Sequence, residues 1–262
     1  MQAFAYSNPS ALADAAKASR ADNAKLIAGG QSLLPSMKLG LAAPEALIDL
    51  SAIAELKGIS VSATTVRIGA MVTHAEVGAN AEVTRAIPAL ADLASHIGDR
   101  QVRNRGTLGG SLANNDPAAC YPAAALGLGA TIHTNTRSIA ADDFFKGLYE
   151  TALGEGEIIT AVSFPVPHKA AWQKFKQPAS RFSLVGVFVS SGPQGVRVAV
   201  TGAGAGVFRA KSLEAKLSAQ WSAAALDGET VSADGLNTDL HGSAEYRAAL
   251  IPVLAKRAVA AC

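Results

Sequence analysis

The sequence predicts an α+β protein in two parts, and three observations carry that reading. The composition is 49% apolar and 17% charged over 262 residues, ample core material for one large domain or two modest ones. Strand-type and helix-type patterns are interleaved up to Pro165-Val166-Pro167, a proline-rich break between units. Beyond it three strand candidates precede two helices, the order of a small unit of three strands and a helical bundle. The expected division is 1–168, itself in parts of about 1–56 and 57–168, followed by 169–262.

The elements follow in order. Asn8-Pro9 reads as a helix start, with Asn8 as N-cap and Pro9 at the first helical position, leading an Ala-rich helix to about Ser19. Lys25-Leu26-Ile27-Ala28 is a short apolar run that ends in Gly29-Gly30, a strand entering a tight turn. Ala46 to Leu50 is a second strand, and Gly58 to Val61 with Thr65 to Ile68 a hairpin pair. Thr73 to Val83 and Pro88 to Ile97 carry helical spacing. Gly98 to Asp116 then holds four glycines, three asparagines and three arginines with few large apolar residues. It reads as a long polar loop, and such loops inside compact proteins are usually functional. After Pro117 come a small-residue helix, a strand Ala130 to Thr134, the Asp142-Asp143-Phe144-Phe145 stretch and a strand Glu157 to Phe164. The last part offers strands at Trp172 to Lys176, Leu184 to Ser190 and Val196 to Thr201, then helices around Arg209 to Leu217 and Ala244 to Ala261.

Several function classes lose support at this level. The 23 basic and 21 acidic residues are scattered, with no basic stripe interleaved with aromatics, so nucleic-acid binding has no footprint. Cys120 and Cys262 cannot supply the four thiolates of an iron–sulfur cluster, nor a disulfide framework. The five histidines lack metal-ligand spacing, and no Ser/His/Asp order or carboxylate pair points to hydrolysis. Met1 to Arg20 reads as a helix and not as a signal peptide. The apolar stretch Tyr121 to Ile132 is too short and Gly-rich to span a bilayer, so a cytoplasmic location is expected.

Two Gly-rich turns carry the chemistry: Ala28-Gly29-Gly30-Gln31-Ser32-Leu33-Leu34-Pro35 and Gly106-Thr107-Leu108-Gly109-Gly110-Ser111-Leu112-Ala113. Each offers consecutive backbone N–H groups unobstructed by Cβ, with a hydroxyl nearby, which suits a diphosphate held without a metal. Neither has the Gly-Lys-Ser/Thr of a P-loop or the Gly-x-Gly-x-x-Gly spacing of a nicotinamide site.

In its surroundings, the stretch from Gly98-Asp99-Arg100-Gln101 through Gly106-Thr107-Leu108-Gly109-Gly110-Ser111 to Asn114-Asn115-Asp116-Pro117 resembles the central FAD motif of the molybdenum hydroxylase flavoproteins. These include the medium subunit of carbon monoxide dehydrogenase and the flavin domain of xanthine dehydrogenase. Ala28 to Leu33 is similar to the family's first motif, and Ile68-Gly69-Ala70 with Thr73-His74 to a shorter one. Glu157-Ile158-Ile159-Thr160, the Lys174 to Arg181 stretch and the Glu245-Tyr246-Arg247 helix match later landmarks, so the resemblance runs the length of the chain.

The resemblance implies a two-part PCMH-type FAD-binding domain over 1–168, then a C-terminal flavoprotein domain over 169–262 with a three-stranded antiparallel sheet and a helical bundle. It implies that Leu26, Ile27, Ala28, Gly29, Gly30, Gln31, Ser32 and Leu33 wrap the FAD diphosphate from one side, and Thr107, Leu108, Gly109, Gly110 and Ser111 from the other. Ile97 and Ile159 match flavin-contacting apolar positions, and Lys176 a cofactor-contacting lysine, although strand alternation puts Lys174 on the same face. Many relatives have an aspartate where Cys120 stands. A thiol is a weak donor, so Asn114 and Asp116 are its natural substitutes in contacting the cofactor. Thr73-His74 has two readings side by side: contact with the flavin, or a helix start satisfied by backbone. Arg103 and Arg105 are open among phosphate, partner subunit and solvent.

The implied function is electron transfer. FAD on this chain would take electrons from [2Fe-2S] clusters on a small partner subunit, reduced in turn by a molybdopterin centre on a large partner, and pass them to an external acceptor. A dimer of heterotrimers is the implied assembly, and no residue of this chain is expected to be catalytic in itself. One alternative is a free-standing FAD-dependent oxidase or dehydrogenase of the wider PCMH superfamily, which would need an acid/base residue above the flavin; a second is a non-catalytic scaffold that has lost its flavin, for which Cys120 is the only hint.

Overall fold

The computed structural model describes residues 2–262. The chain opens with β1 (Ala5–Ser7), α1 (Leu12–Ala18), β2 (Ala24–Ile27), α2 (Leu33–Lys38) and β3 (Ala46–Asp49). The three strands form a parallel sheet in the order β1-β3-β2, as strands joined through helices do. Ala15 and Ala16 of α1 pack with Ile48, Leu50, Ile53 and Leu56 in a small core that Ile158 joins from far along the chain. β1 is a strand that the sequence reading missed: its three residues are all exposed and carry no alternation. Helix α1 starts later than expected, with Ala11 and not Asn8 at its N-cap. Asn8 instead donates from Nδ2 to Asp49 O and Ser51 Oγ at 3.2 and 3.1 Å, tying the first strand to the end of β3.

The second part contains β4 (Ile59–Val61), β5 (Thr65–Gly69), α3 (His74–Ala79), α4 (Ala81–Ala86), α5 (Pro88–Ser95), α6 (Arg100–Arg103), α7 (Leu108–Asn114) and α8 (Tyr121–Leu128). It continues through β6 (Thr131–Thr134), β7 (Ser138–Ala140), α9 (Ala141–Phe144), β8 (Phe145–Gly147), β9 (Glu150–Thr151) and β10 (Ile159–Pro165). Five strands make an antiparallel sheet in the order β4-β5-β10-β6-β7, while β8 and β9 form a separate hairpin. The helical stretch expected over Thr73 to Val83 is two helices. Asn80 leaves helical backbone and caps the second, its Oδ1 accepting from Glu82 N and Val83 N. The expected polar loop is likewise two short helices, one capped by Asp99 and the other by Thr107. Helix α7 escapes an apolar-periodicity reading because its glycines do the packing. A Cβ on Gly109 would stand 2.6 Å from that of Ala70.

The last part is β11 (Lys169–Lys176), β12 (Ser183–Gly192), β13 (Gly195–Thr201), β14 (Phe208–Arg209), α10 (Lys211–Ala219) and α11 (Ala244–Ala260). The three expected strands are antiparallel, and the two-residue β14 adds a fourth on the outer edge. The expected helical bundle is the pair α10 and α11, whose Leu213, Leu217, Ile251 and Leu254 cover the Val185, Val187, Val198 and Val200 face of the sheet. The other face turns Trp172, Phe188 and Ala199 into the main core, against α8, which is buried along its whole length. Asp142 on α9 pairs with Arg197 and Arg209, and Arg209 with Glu214, an ionic cluster between the two parts. Among the described residues no helix is long and apolar enough to cross a membrane.

Candidate functional site

Where the first and second parts meet lies a cavity of about 760 Å³, within the range of small-molecule and cofactor sites. One wall is the turn from β2 into α2. Gly30 has φ +71, a left-handed conformation that glycine adopts without steric cost, and Leu34 N returns to Gly30 O at 3.1 Å. Among the described residues the backbone N–H groups of Gly29, Gly30, Gln31 and Ser32 have no protein acceptor, and the Ser32 hydroxyl caps nothing. A run of free amides beside a free hydroxyl is a ready anion cradle.

The opposite wall, the α6–α7 segment, is built differently. Leu108 N donates to Val72 O at 3.0 Å, Gly109 N to Ala70 O at 2.8 Å and Gly110 N to Thr107 Oγ1 at 3.1 Å. The first two amides are used in docking α7 onto the segment after β5 and the third in the helix's own cap, so the expectation of a second free N–H run is corrected. Thr107 and Ser111 can offer hydroxyls instead. The two turns also touch: a Cβ on Gly110 would approach that of Ala28 to 3.4 Å. A dinucleotide diphosphate fits this arrangement, with amides from one side and hydroxyls from the other.

Residues 2–167 match the family model described as the FAD binding domain in molybdopterin dehydrogenase. The chain belongs to this family. It is 36% identical to the nicotine 6-hydroxylase medium subunit of Paenarthrobacter nicotinovorans, over 99% of this chain and 97% of that one. It is 33% identical to the carbon monoxide dehydrogenase medium chain of Hydrogenophaga pseudoflava, over 98% and 96%. Among solved structures, carbon monoxide dehydrogenase from Hydrogenophaga pseudoflava superposes with TM-score 0.90 at 34% identity, covering 99% of this chain and 97% of that one. Quinoline 2-oxidoreductase from Pseudomonas putida 86 superposes with TM-score 0.88 at 32% identity, covering 99% and 96%. The chain is thus a flavoprotein of a molybdenum-dependent oxidoreductase family, with FAD as its cofactor.

Most of the residues expected at the FAD site line the one cavity: Leu26 to Leu33, His74, Ile97, Thr107, Gly109, Gly110, Ser111, Asn114, Asp116 and Ile159. Three stand apart from its lining. Thr73 is spent in a capping box, its hydroxyl accepting from Glu76 N and its own N–H donating to Glu76 at 2.7 Å. Leu108 is sealed in the core. Lys176 is exposed beyond a slip in register, where Phe175 pairs with Val185 but Lys176 with Ser183. The extra residue at the slip, Leu184, lies on β12, and Lys176 is absent from the cavity lining. Lys174 enters the cavity instead and donates to His96 O at 3.1 Å and to Cys120 Sγ at 3.3 Å.

Other lining residues were not legible. Tyr149, at the tip of the β8–β9 hairpin, has φ +55 and donates to Asp116 Oδ2 at 3.3 Å. A bulky side chain in left-handed backbone is rare, but only a structure reveals it. Arg181 and Phe182 reach the cavity from the β11–β12 turn. Cys120 is buried, 3.5 Å from Ser183 Oγ. Asn114 and Asp116, its expected substitutes, both line the cavity, and Asp116 already accepts from Ala118 N at 2.8 Å.

Charge is arranged around this cavity with little freedom. Glu157, on its rim, accepts from both Arg137 Nε and Nη2 at 2.9 Å, from Gly154 N at 2.8 Å and from Thr134 and Thr136. Arg137 foremost holds its carboxyl down to about 2. Burial, seconded by the charge of Arg103, pushes His74 down to about 4 and keeps it neutral. Arg103 itself donates to Ile97 O and Gly98 O at 3.1 and 3.3 Å, which assigns one of the two open arginines to holding the chain before α6.

Proposed function

We propose that this chain is the electron-transfer subunit of a heteromeric molybdenum hydroxylase. In this reading it takes electrons from [2Fe-2S] clusters of a small iron–sulfur subunit and passes them to an external acceptor. A large molybdopterin-binding subunit performs the hydroxylation, the assembly is a dimer of heterotrimers, and the complex is cytoplasmic. The observation that carries the reading is the single cavity onto which both Gly-rich turns open, in a chain that spans nearly the full length of medium-subunit relatives. Residues 1–168 act as the FAD-binding domain, in parts 1–56 and 57–168, and 169–262 as the C-terminal flavoprotein domain.

FAD supplies the redox chemistry, and the protein supplies binding, orientation and electrostatics. The Gly29 to Ser32 amides take the diphosphate charge, with the Thr107 and Ser111 hydroxyls facing them. Ile97 and Ile159 give the flavin apolar surface, and Lys174 fills the role expected of Lys176, bringing positive charge to the cavity beside Cys120. Visible absorption of the chain, alone and coexpressed with two partner chains, tests the proposal. A flavin spectrum from the chain alone and iron–sulfur absorption only with the partners is expected. A chain that stays colourless with added FAD sinks it, and a flavoprotein that turns over substrate without partners would move it to the free-standing class.

A further inference from the structure

The cavity wall contains one buried side chain with neither ring nitrogen bonded to protein. His74 is 5% exposed and lines the cavity. Its Nδ1 is sealed from solvent and has no partner. Nε2 has no protein partner among the described residues either, and it lies so close to residue 106 that a Cβ there would stand 2.5 Å away. The backbone fixes the base of the ring, since His74 N donates to Gly106 O at 2.9 Å. The ring centroid is 5.3 Å from that of the fully buried Tyr121, whose hydroxyl is also unpartnered.

A neutral imidazole carries one proton, and its two positions are not equivalent here. On Nδ1 the proton would be a buried N–H with no acceptor, the rarest kind of orphan in native proteins. A bare Nδ1 is an unfilled acceptor, which interiors tolerate better. The proton therefore belongs on Nε2, the nitrogen that is not sealed, on a residue that lines the cavity.

We infer that His74 donates a hydrogen bond from Nε2 to the FAD, at the junction where the second Gly-rich turn meets the cavity. The inference rests on the FAD reading above and adds an atom, a tautomer and a direction to it. The partner is an acceptor oxygen or nitrogen of the cofactor: a diphosphate oxygen, given the contact with Gly106 beside Thr107, or an acceptor of the flavin ring.

The test is imidazole ¹⁵N NMR on the full chain, stripped of flavin and then titrated with ADP and with FAD, with flavin fluorescence recorded alongside. The expected result is a neutral ring protonated on Nε2 whose resonance shifts when FAD binds. A shift with ADP as well assigns the diphosphate, and a shift with FAD alone assigns the flavin. A proton found on Nδ1, or an unmoved His74 signal while fluorescence reports bound FAD, overturns the inference and leaves the cofactor reading intact. Failure of FAD to bind at all defeats both. In parallel, His74→Phe is expected to raise the Kd for FAD about tenfold or more, and His74→Gln, which keeps an N–H donor, to recover part of the loss. A folded His74→Phe with unchanged Kd also overturns it.

Discussion

Gly29 lies directly on the carbonyl of Arg105: a Cβ at residue 29 would stand 2.1 Å from that oxygen. The contact joins the two Gly-rich walls of the cavity, and backbone on one side leaves nothing flexible to give way. Gly29→Ala is expected to cost about 2–3 kcal/mol of stability and to weaken FAD at least tenfold. Gly40 is a control, with φ +73 but open space around it. Gly40→Ala is expected to cost only about 1 kcal/mol and to leave the Kd for FAD unchanged. Thermal melts with FAD titration check both, and a Gly29→Ala protein that binds FAD normally would refute the joint.

The two lysines of β11 separate cleanly. Lys174→Met removes the only side-chain cation among the described residues that touches Cys120 and His96 O, and is expected to raise the Kd for FAD about tenfold. Lys176→Met, at an exposed residue outside the cavity lining, is expected to change it less than about twofold. Equal effects in flavin titrations would mean that the two lysines share one role.

His74 makes stability depend on pH in a defined window. Its folded pKa, about 4, lies below the ordinary 6.5, so the unfolded chain binds more protons between those values. Stability is therefore full above about 6.5 and falls as the pH drops towards 4, by on the order of 3 kcal/mol. Denaturant melts should show the slope in the wild type and its reduction in His74→Phe.

Glu157 acts in a lower window. Its carboxyl, held at about 2 against an ordinary 4.5, contributes stability above 4.5 that is lost as the pH falls through 2. Glu157→Gln keeps an acceptor for Thr134 but loses the pairing with Arg137, and is expected to cost about 1–3 kcal/mol at neutral pH. It should also flatten the acid limb below 4.5, measured by chemical denaturation between pH 2 and 7.

Cys120 stands between Lys174 Nζ and Ser183 Oγ at 3.3 and 3.5 Å, a cation and a hydroxyl already positioned for a carboxylate. Cys120→Asp is expected to fold, with FAD bound at least as tightly as in the wild type, because Lys174 supplies the counter-charge that a buried carboxylate needs. Loss of flavin from a folded Cys120→Asp protein would contradict this.

How much was legible follows from what each feature depends on. The order of strands and helices could be read because β2, β3, β10 and the three long strands of the last sheet are apolar runs bounded by Gly, Pro or Asn. Strand β1 could not, since its exposed residues owe their pairing entirely to β3. The stretch from Gly98 to Asp116 looked like a loop because Gly109 packs by lacking a side chain, which no hydropathy pattern registers. Most of the cavity lining was visible as motif, whereas the choice of Lys174 over Lys176 depended on where along β11 the cavity ends, which strand alternation does not register. The committed amides of the second wall and the unpaired nitrogens of His74 depend on distances between segments far apart in sequence.

The inner face of the last sheet has a consequence for dissecting the protein. Phe188 presses on α8 so closely that a Cβ on Gly127 would stand 2.8 Å from its ring, and Trp172 and Ala199 share the same core. A fragment cut after residue 168 would keep every Gly-rich turn yet lose the aromatic roof over its central helix. Such a fragment would expose fully buried alanines and leucines of α8 to water and should aggregate before it could meet a flavin, so the cofactor-binding half depends for its solubility on a neighbour that need never touch the cofactor's phosphates.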